Sequence, residues 1–156
     1  DGLLPMEEII ASLIKDKHAN LKLVALTGKN TTLYKKLLSK FGDSVQILKY
    51  TEQIPQLMSG ADMIISKAGG LSSAEVLASD LDFIIYKPLP GQEENNAKFL
   101  AANCGATIAS DMKDITQKVK ELCKLEENIA KERAYYGKPQ AAEKISNYIL
   151  GRLSKI

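Results

Sequence analysis

Apolar positions along the chain switch between a helical period and short continuous runs, and the switches fall on glycine, proline and polar breaks. Met6 to Lys17 carries apolar residues at helical spacing, with Pro5 suited to a first turn. Leu21 to Thr27 (LKLVALT) is a β-branched run stopped by Gly28, and Leu33 to Phe41 is helical and closed by Gly42. Strands are predicted at Val45 to Tyr50, Asp62 to Ser66, Asp82 to Tyr86 and Ala106 to Ala109. Between and after them come helices at Pro55 to Ser59, Ser73 to Ser79, Glu93 to Asn103, Met112 to Lys124, Glu126 to Tyr135 and Gln140 to Leu153. Strands alternating with helices imply βαβ units with right-handed crossovers. Strands that are apolar throughout imply helices on both faces of a parallel sheet. The expected fold class is therefore α/β, a parallel sheet with helices on both faces, with 156 residues forming one domain. No repeat, low-complexity stretch or interdomain linker interrupts it.

Composition narrows the function by exclusion. The charges nearly balance, 21 Lys+Arg against 19 Asp+Glu, which gives no electrostatic case for nucleic acid as partner. No apolar run is long enough to span a bilayer, and no signal peptide opens the chain. Cys104 and Cys123 match no metal-ligand spacing and read as free thiols, and no Asp-x-Asp motif suggests a metal. The one histidine, His18, reads as a helix-end surface residue, so the chain lacks an obvious general base. Asp1-Gly2 leads almost directly into a helix, which reads as a chain cut at a loop. Residues 111–156 hold ten Lys/Arg and seven Asp/Glu, the mixture of a solvated helical surface.

In parallel α/β sheets ligands bind beyond the carboxyl ends of the strands, so the loops after the strands are the places to look. One is Lys67-Ala68-Gly69-Gly70-Leu71-Ser72-Ser73-Ala74-Glu75. Paired glycines allow a tight turn and close approach to the backbone, and a helix start beyond them offers N–H groups and a dipole to an anion such as a diphosphate. Ser72-x-x-Glu75 equally spells a capping box, with no ligand involved. The next loop, Lys87-Pro88-Leu89-Pro90-Gly91, is stiff and runs into Gln92-Glu93-Glu94-Asn95-Asn96. The helix dipole accounts for Glu93 and Glu94 but less well for the amide Gln92. An amide beside a carboxylate on a rigid turn supplies the donors and acceptors that sugar hydroxyls require.

From Ala61 to Leu100 the sequence ADMIISKAGGLSSAEVLASDLDFIIYKPLPGQEENNAKFL resembles the donor-site region of a glycosyltransferase family. That family, glycosyltransferase family 28, joins monogalactosyldiacylglycerol synthases, processive diacylglycerol glucosyltransferases and the N-acetylglucosaminyltransferase of peptidoglycan lipid II. KPLPGQEENNA is nearest the diacylglycerol branch, and TGKN (Thr27 to Asn30) and YTEQIPQLMSGAD (Tyr50 to Asp62) extend the match in order over residues 3–150. The resemblance implies a Rossmann-like α/β domain, the C-terminal half of a two-domain GT-B fold. Residues 1–156 would be the UDP-sugar donor-binding domain, and the N-terminal acceptor domain would lie outside the chain.

The resemblance also implies roles. Glu75 would bond the ribose hydroxyls, the backbone around Gly69, Gly70, Leu71 and Ser72 would cradle the diphosphate, and Tyr50 and Thr51 would face uracil with their backbone. Gln92 and Glu93 would bond the sugar, and Gly28 and Asn30 would line the same cleft. Lys67 and Lys87 read as solvated strand-end lysines rather than phosphate ligands. The family's glycine-rich loop before the first helix is reduced here to Gly2, and its candidate base lies in the other domain. No residue of this chain is thus expected to be catalytic, and no cofactor or metal is implied. The implied whole enzyme is an inverting hexosyltransferase of glycolipid synthesis, peripheral on the cytoplasmic face of a bacterial membrane, using UDP-glucose, UDP-galactose or UDP-N-acetylglucosamine. Alternatives are N-acetylglucosamine transfer in lipid II synthesis, a nucleotide-sugar 2-epimerase, and a nucleotide-sugar sensor without catalysis.

Overall fold

The structure, a computed structural model, describes residues 4–16, 21–126 and 140–153. His18, Gly2 and nearly all of the helix expected at Glu126 to Tyr135 lie outside the described residues. The elements run α1 (Met6–Lys15), β1 (Leu23–Leu26), α2 (Thr31–Phe41), β2 (Val45–Leu48), α3 (Ile54–Ser59), β3 (Met63–Ser66) and α4 (Gly70–Ala78). They continue with β4 (Asp82–Tyr86), α5 (Gln92–Asn103), β5 (Thr107–Ala109), α6 (Met112–Glu126) and α7 (Ala141–Leu153). The alternation is the one the apolar pattern predicts, with strand and helix ends moved by a few residues.

All strand pairings are parallel. β1 pairs with β2, and β3, β4 and β5 pair in that order, with β4 central. Among the described residues, backbone hydrogen bonds thus gather the strands into a pair and a triple rather than one continuous sheet. Side chains carry the core across the gap: Leu21 and Leu23 from the β1 side and Met63 and Ile65 from β3 pack on the same apolar cluster. Helix α1 spans both groups. Its Ile9 and Leu13 join that cluster, while Ile10 packs with Ala25, Leu37, Val45 and Ile47 on the β1–β2 pair.

The run DFIIY makes the central strand because alternate residues point to opposite faces and both faces are covered. Phe83 and Ile85 pack with Met58 of α3, Val76 of α4 and Ala97 and Leu100 of α5. Ile84 and Tyr86 pack with α1 and with Ile115 and Val119 of α6. Ile84 and Ile85 are fully buried, each burial stabilising by about 1.5–3 kcal/mol. On the solvent side of the first helices, Glu7 pairs with Lys36 and with Lys40 (2.7 Å), tying α1 to α2 and holding the Glu7 carboxyl at about 2, well below its usual range. Because the strands are parallel, the segments after β1, β2, β3 and β4 all leave at their carboxyl ends.

Candidate functional site

The segment after β3 folds differently from the Ser72–Glu75 capping box. Helix α4 begins at Gly70, three residues earlier than expected, with Gly69 as N-cap at φ −66°, ψ 144° and no side-chain cap bond. Ser72 is therefore the third residue of the helix and Glu75 the sixth. A capping serine needs a non-helical backbone just outside the helix, so Ser72 cannot serve as one. The first amide of this segment to find an acceptor is that of Ser73, which donates to the Gly69 carbonyl at 2.9 Å. The amides of Gly70, Leu71 and Ser72 are left without a protein partner among the described residues.

Gly70 and Ser72 are exposed, and Leu71 is 85% exposed, so no side chain covers this turn. Neither Gly69 nor Gly70 uses the left-handed region; among the described residues the glycines that do are Gly28, Gly91 and Gly105. The paired glycines are thus not needed for the tight turn expected of them. What they supply is space: a Cβ on Gly70 would meet nothing within 4 Å, and one on Gly69 only Ser72 Oγ at 4.0 Å. Glu75 is exposed on the second turn of the same helix. Ser73 turns inward with its Oγ buried and unpartnered, a feature the rest of the structure does not explain.

The segment after β4 ends in the opposite way. Lys87 at φ 48° and Gly91 at φ 91° bracket Pro88-Leu89-Pro90, and α5 starts at Gln92, one residue earlier than expected. Its acids fold back on their own loop. Glu93 Oε2 accepts from the Leu89 amide at 2.7 Å, and Glu94 Oε2 accepts from the Gly91 amide at 3.4 Å. The Glu94 amide in turn donates to the Leu89 carbonyl at 3.2 Å. Glu93 is half-buried, so one of the two oxygens expected to meet a sugar already holds the loop. Gln92 is exposed and, among the described residues, its side chain makes no hydrogen bond. Lys87 lies with Nζ 5.4 Å from the centroid of the Tyr86 ring.

One side chain joins these two segments. Asn96 Nδ2 donates to the carbonyl of Ala68 at 2.9 Å, the residue just before the N-cap of α4. Asn96 lies one turn beyond Gln92 on the same face of α5, so the bond turns the Gln92 face toward the start of α4. β3 and β4 are already neighbours in register, Ser66 beside Ile85. Glu75 and Gln92 therefore belong to helices that spring from adjacent strand ends. In the sequence Asn96 stands out only as the last residue of the polar run Gln92 to Asn96.

The segments after β1 and β2 meet through a bond from the Tyr50 amide to the Gly28 carbonyl at 2.8 Å. Gly28 needs its positive φ of 57° for that turn. Asn30 caps α2, its Oδ1 accepting from the Leu33 amide at 2.9 Å. These residues thus have local structural work, and the Tyr50 amide is not free to meet a base. Thr51 Oγ1 accepts from the Gln53 amide at 3.1 Å, while the Tyr50 ring is 64% exposed with Lys29 Nζ 5.7 Å from its centroid. Among the described residues no group of three His, Cys, Asp or Glu side chains gathers as a metal site, and no helix is long and apolar enough to cross a membrane.

Residues 7–149 match the glycosyltransferase family 28 C-terminal domain. The chain belongs to that family. The processive diacylglycerol beta-glucosyltransferase of Bacillus subtilis (strain 168) is 33% identical over 120 residues, 75% of this chain and 31% of that protein. Its namesake from Bacillus pumilus (strain SAFR-032) is 32% identical over 127 residues, 80% of this chain and 33% of that protein. The family 28 chain thus spans about a third of the curated relatives it matches. Among solved structures, Acinetobacter baumannii MurG superposes with a TM-score of 0.70 over 94% of this chain and 45% of that one, at 22% identity. WaaG, a glycosyltransferase involved in lipopolysaccharide biosynthesis, gives 0.56 over 75% of this chain and 33% of that one, at 20% identity. At such identities the structural matches establish the shared fold, and the family 28 domain is α/β with parallel strands flanked by helices.

Proposed function

We propose that this chain is the UDP-sugar-binding domain of an inverting glycosyltransferase that moves a hexose to a lipid acceptor, diacylglycerol by analogy with the names of its relatives. The observation that carries the reading is the uncovered first turn of α4, facing the Gln92 side of α5. Three free amides and the positive end of the helix dipole suit a diphosphate at Gly69, Gly70, Leu71 and Ser72. The exposed Glu75 carboxylate can accept from both ribose hydroxyls, and the Tyr50 carbonyl and the Thr51 backbone are the parts of that pair left to face uracil. Gln92 reads the sugar, with Glu93 holding the loop that presents it.

In the whole enzyme the lipid hydroxyl attacks the anomeric carbon, a base outside this chain takes its proton, and UDP departs with inversion. The α4 amides stabilise the charge that grows on the departing diphosphate and need no reorganisation to do so. The acceptor places the enzyme at the cytoplasmic face of a membrane. The chain alone binds UDP and transfers nothing. Calorimetric titration of UDP into the chain, repeated with Glu75→Ala, tests the reading: equal binding by both, or none by the wild type, defeats it. A panel of UDP-glucose, UDP-galactose and UDP-N-acetylglucosamine on the full-length protein separates diacylglycerol glycosylation from lipid II synthesis. Incubation of UDP-N-acetylglucosamine without acceptor exposes epimerase chemistry, and binding without turnover by the intact protein identifies a sensor.

A further inference from the structure

We infer that Asn96 is a positioning residue that sets the distance and angle between the diphosphate-binding turn of α4 and the sugar-reading residue Gln92 of α5. The inference rests on the proposed donor reading and adds a coupling between its two halves. Asn96 is half-buried, and Ala68 is fully buried. The Ala68 carbonyl can only accept, so the Asn96 amide must present its NH2 side, which fixes the orientation of the group. No main-chain bond does the same job: β3 and β4 are laddered to Ile85, but beyond it each loop turns away into its own helix. Among the described hydrogen bonds, Asn96 to Ala68 is the one that joins α5 to the segment between β3 and α4. Gln92 stands four residues before Asn96, about 6 Å along the helix axis and on the same face. A small tilt of α5 about the Asn96 contact therefore displaces Gln92 relative to Gly70 while leaving Glu75 and the α4 amides in place.

Ligands should report this tilt selectively. UDP touches α4 and the segment after β2 but not α5, whereas a UDP-sugar has to satisfy α5 as well. Breaking the tie should spare UDP and weaken the sugar's contribution. Asn96→Asp keeps the shape but at neutral pH cannot donate to Ala68. Asn96→Ala removes the donor without placing a charge against the buried carbonyl and is the gentler change, and the result is read on whichever variant folds by thermal melting. The measured quantity is the ratio of Kd for UDP to Kd for a UDP-hexose, with UDP-glucose, UDP-galactose and UDP-N-acetylglucosamine each tested on the chain by calorimetry.

The expected result is a UDP affinity within about twofold of wild type and a ratio lowered by about fivefold or more for the preferred donor, the size of effect one misplaced hydrogen bond gives. Gln92→Ala should lower the ratio similarly, and the double variant with Asn96→Ala should be no worse than Gln92→Ala alone, since both act through one contact. UDP and UDP-sugar weakening in equal proportion alongside a lower Tm would make Asn96 a stabilising residue only and overturn the proposal. An unchanged ratio would overturn it too. A wild-type chain that binds no UDP would instead sink the donor reading beneath it.

Discussion

Gly69 is the position where stability and ligand binding should pull in opposite directions. As N-cap of α4 it leaves the first-turn amides free, although its φ −66° and ψ 144° are the extended geometry that a capping Asp or Ser adopts. A Cβ there would meet only Ser72 Oγ, at an ordinary 4.0 Å. Gly69→Asp should therefore fit without strain. A carboxylate cap improves on glycine by a few tenths of a kcal/mol. Removing a glycine from the unfolded chain adds about 0.4–1 kcal/mol, and a negative charge at the positive helix end about 0.3–1 kcal/mol. The sum, about 1–2 kcal/mol, should raise Tm by about 3–6 °C in a domain of this size.

The same carboxylate would accept from the amides assigned to the diphosphate and repel what remains of it. Two unit charges about 5 Å apart near a protein surface cost about 1–3 kcal/mol, so UDP binding should fall about ten- to a hundredfold. Gly69→Ser caps without charge and should lose less affinity for a similar structural reason. Melting without ligand and calorimetry with UDP measure the two effects separately. A Gly69→Asp chain that is more stable and still binds UDP at wild-type strength would show that α4 does not receive the diphosphate. A chain that is less stable would show that the cap geometry is wrong.

Glu75→Ala should weaken UDP by about tenfold or more, the worth of hydrogen bonds to a charged group, yet shift stability by no more than about 0.5 kcal/mol because the side chain is exposed; melting and titration of one preparation decide both. Glu93→Gln keeps an oxygen for the Leu89 amide and should hold the loop, whereas Glu93→Ala should lower both Tm and UDP-hexose affinity; equal loss of donor affinity in the two would return Glu93 to direct sugar contact. The Glu7 carboxyl, held at about 2 by Lys36 and Lys40 against 4.5 when free, contributes stability that is complete above the unfolded value and disappears as pH falls from about 4.5 toward 2. Glu7→Gln should flatten the dependence of Tm on pH in that window, and an unaltered acid limb would disprove the pairing. Ile84→Ala, at a fully buried site on β4, should cost about 2–5 kcal/mol in denaturant melts.

Much of the architecture was legible in the chain because burial writes itself locally. DFIIY had to be a strand covered on both faces, and Leu33 to Phe41 a helix with one apolar side; β4 and α2 fall there. The start of α4 was not legible. Glycine is a poor helix former, by about 1 kcal/mol in the interior, so Gly69-Gly70 reads as a loop and Ser72-x-x-Glu75 as the helix start. Ahead of any intrahelical bond that penalty counts for little, and the helix extends back to Gly70. The cap at Asn30 follows from its residue type, but the reach of Asn96 to Ala68 spans 28 residues and leaves no periodic trace. The same limit hid the division of the strands into a pair and a triple, since an apolar run does not say which neighbour it will bond.

The two helix starts explain each other. α4 and α5 leave adjacent parallel strands and present the same kind of backbone end, each with amides that the helix cannot satisfy. α5 closes its end in part: the Glu94 amide takes the Leu89 carbonyl, while the Glu93 and Glu94 carboxylates take the Leu89 and Gly91 amides of the loop before it. With two carboxylates in its first turn, α5 repels an anion and offers a neutral amide, Gln92. α4 has no acid in its first turn, no side-chain cap and no cover. An elongated ligand with one charged and one neutral, hydroxyl-rich part fits these ends in only one direction, charge on α4 and hydroxyls on α5. A diphosphate bound to a sugar has that polarity, and the Asn96 tie spaces the two ends proposed to receive it.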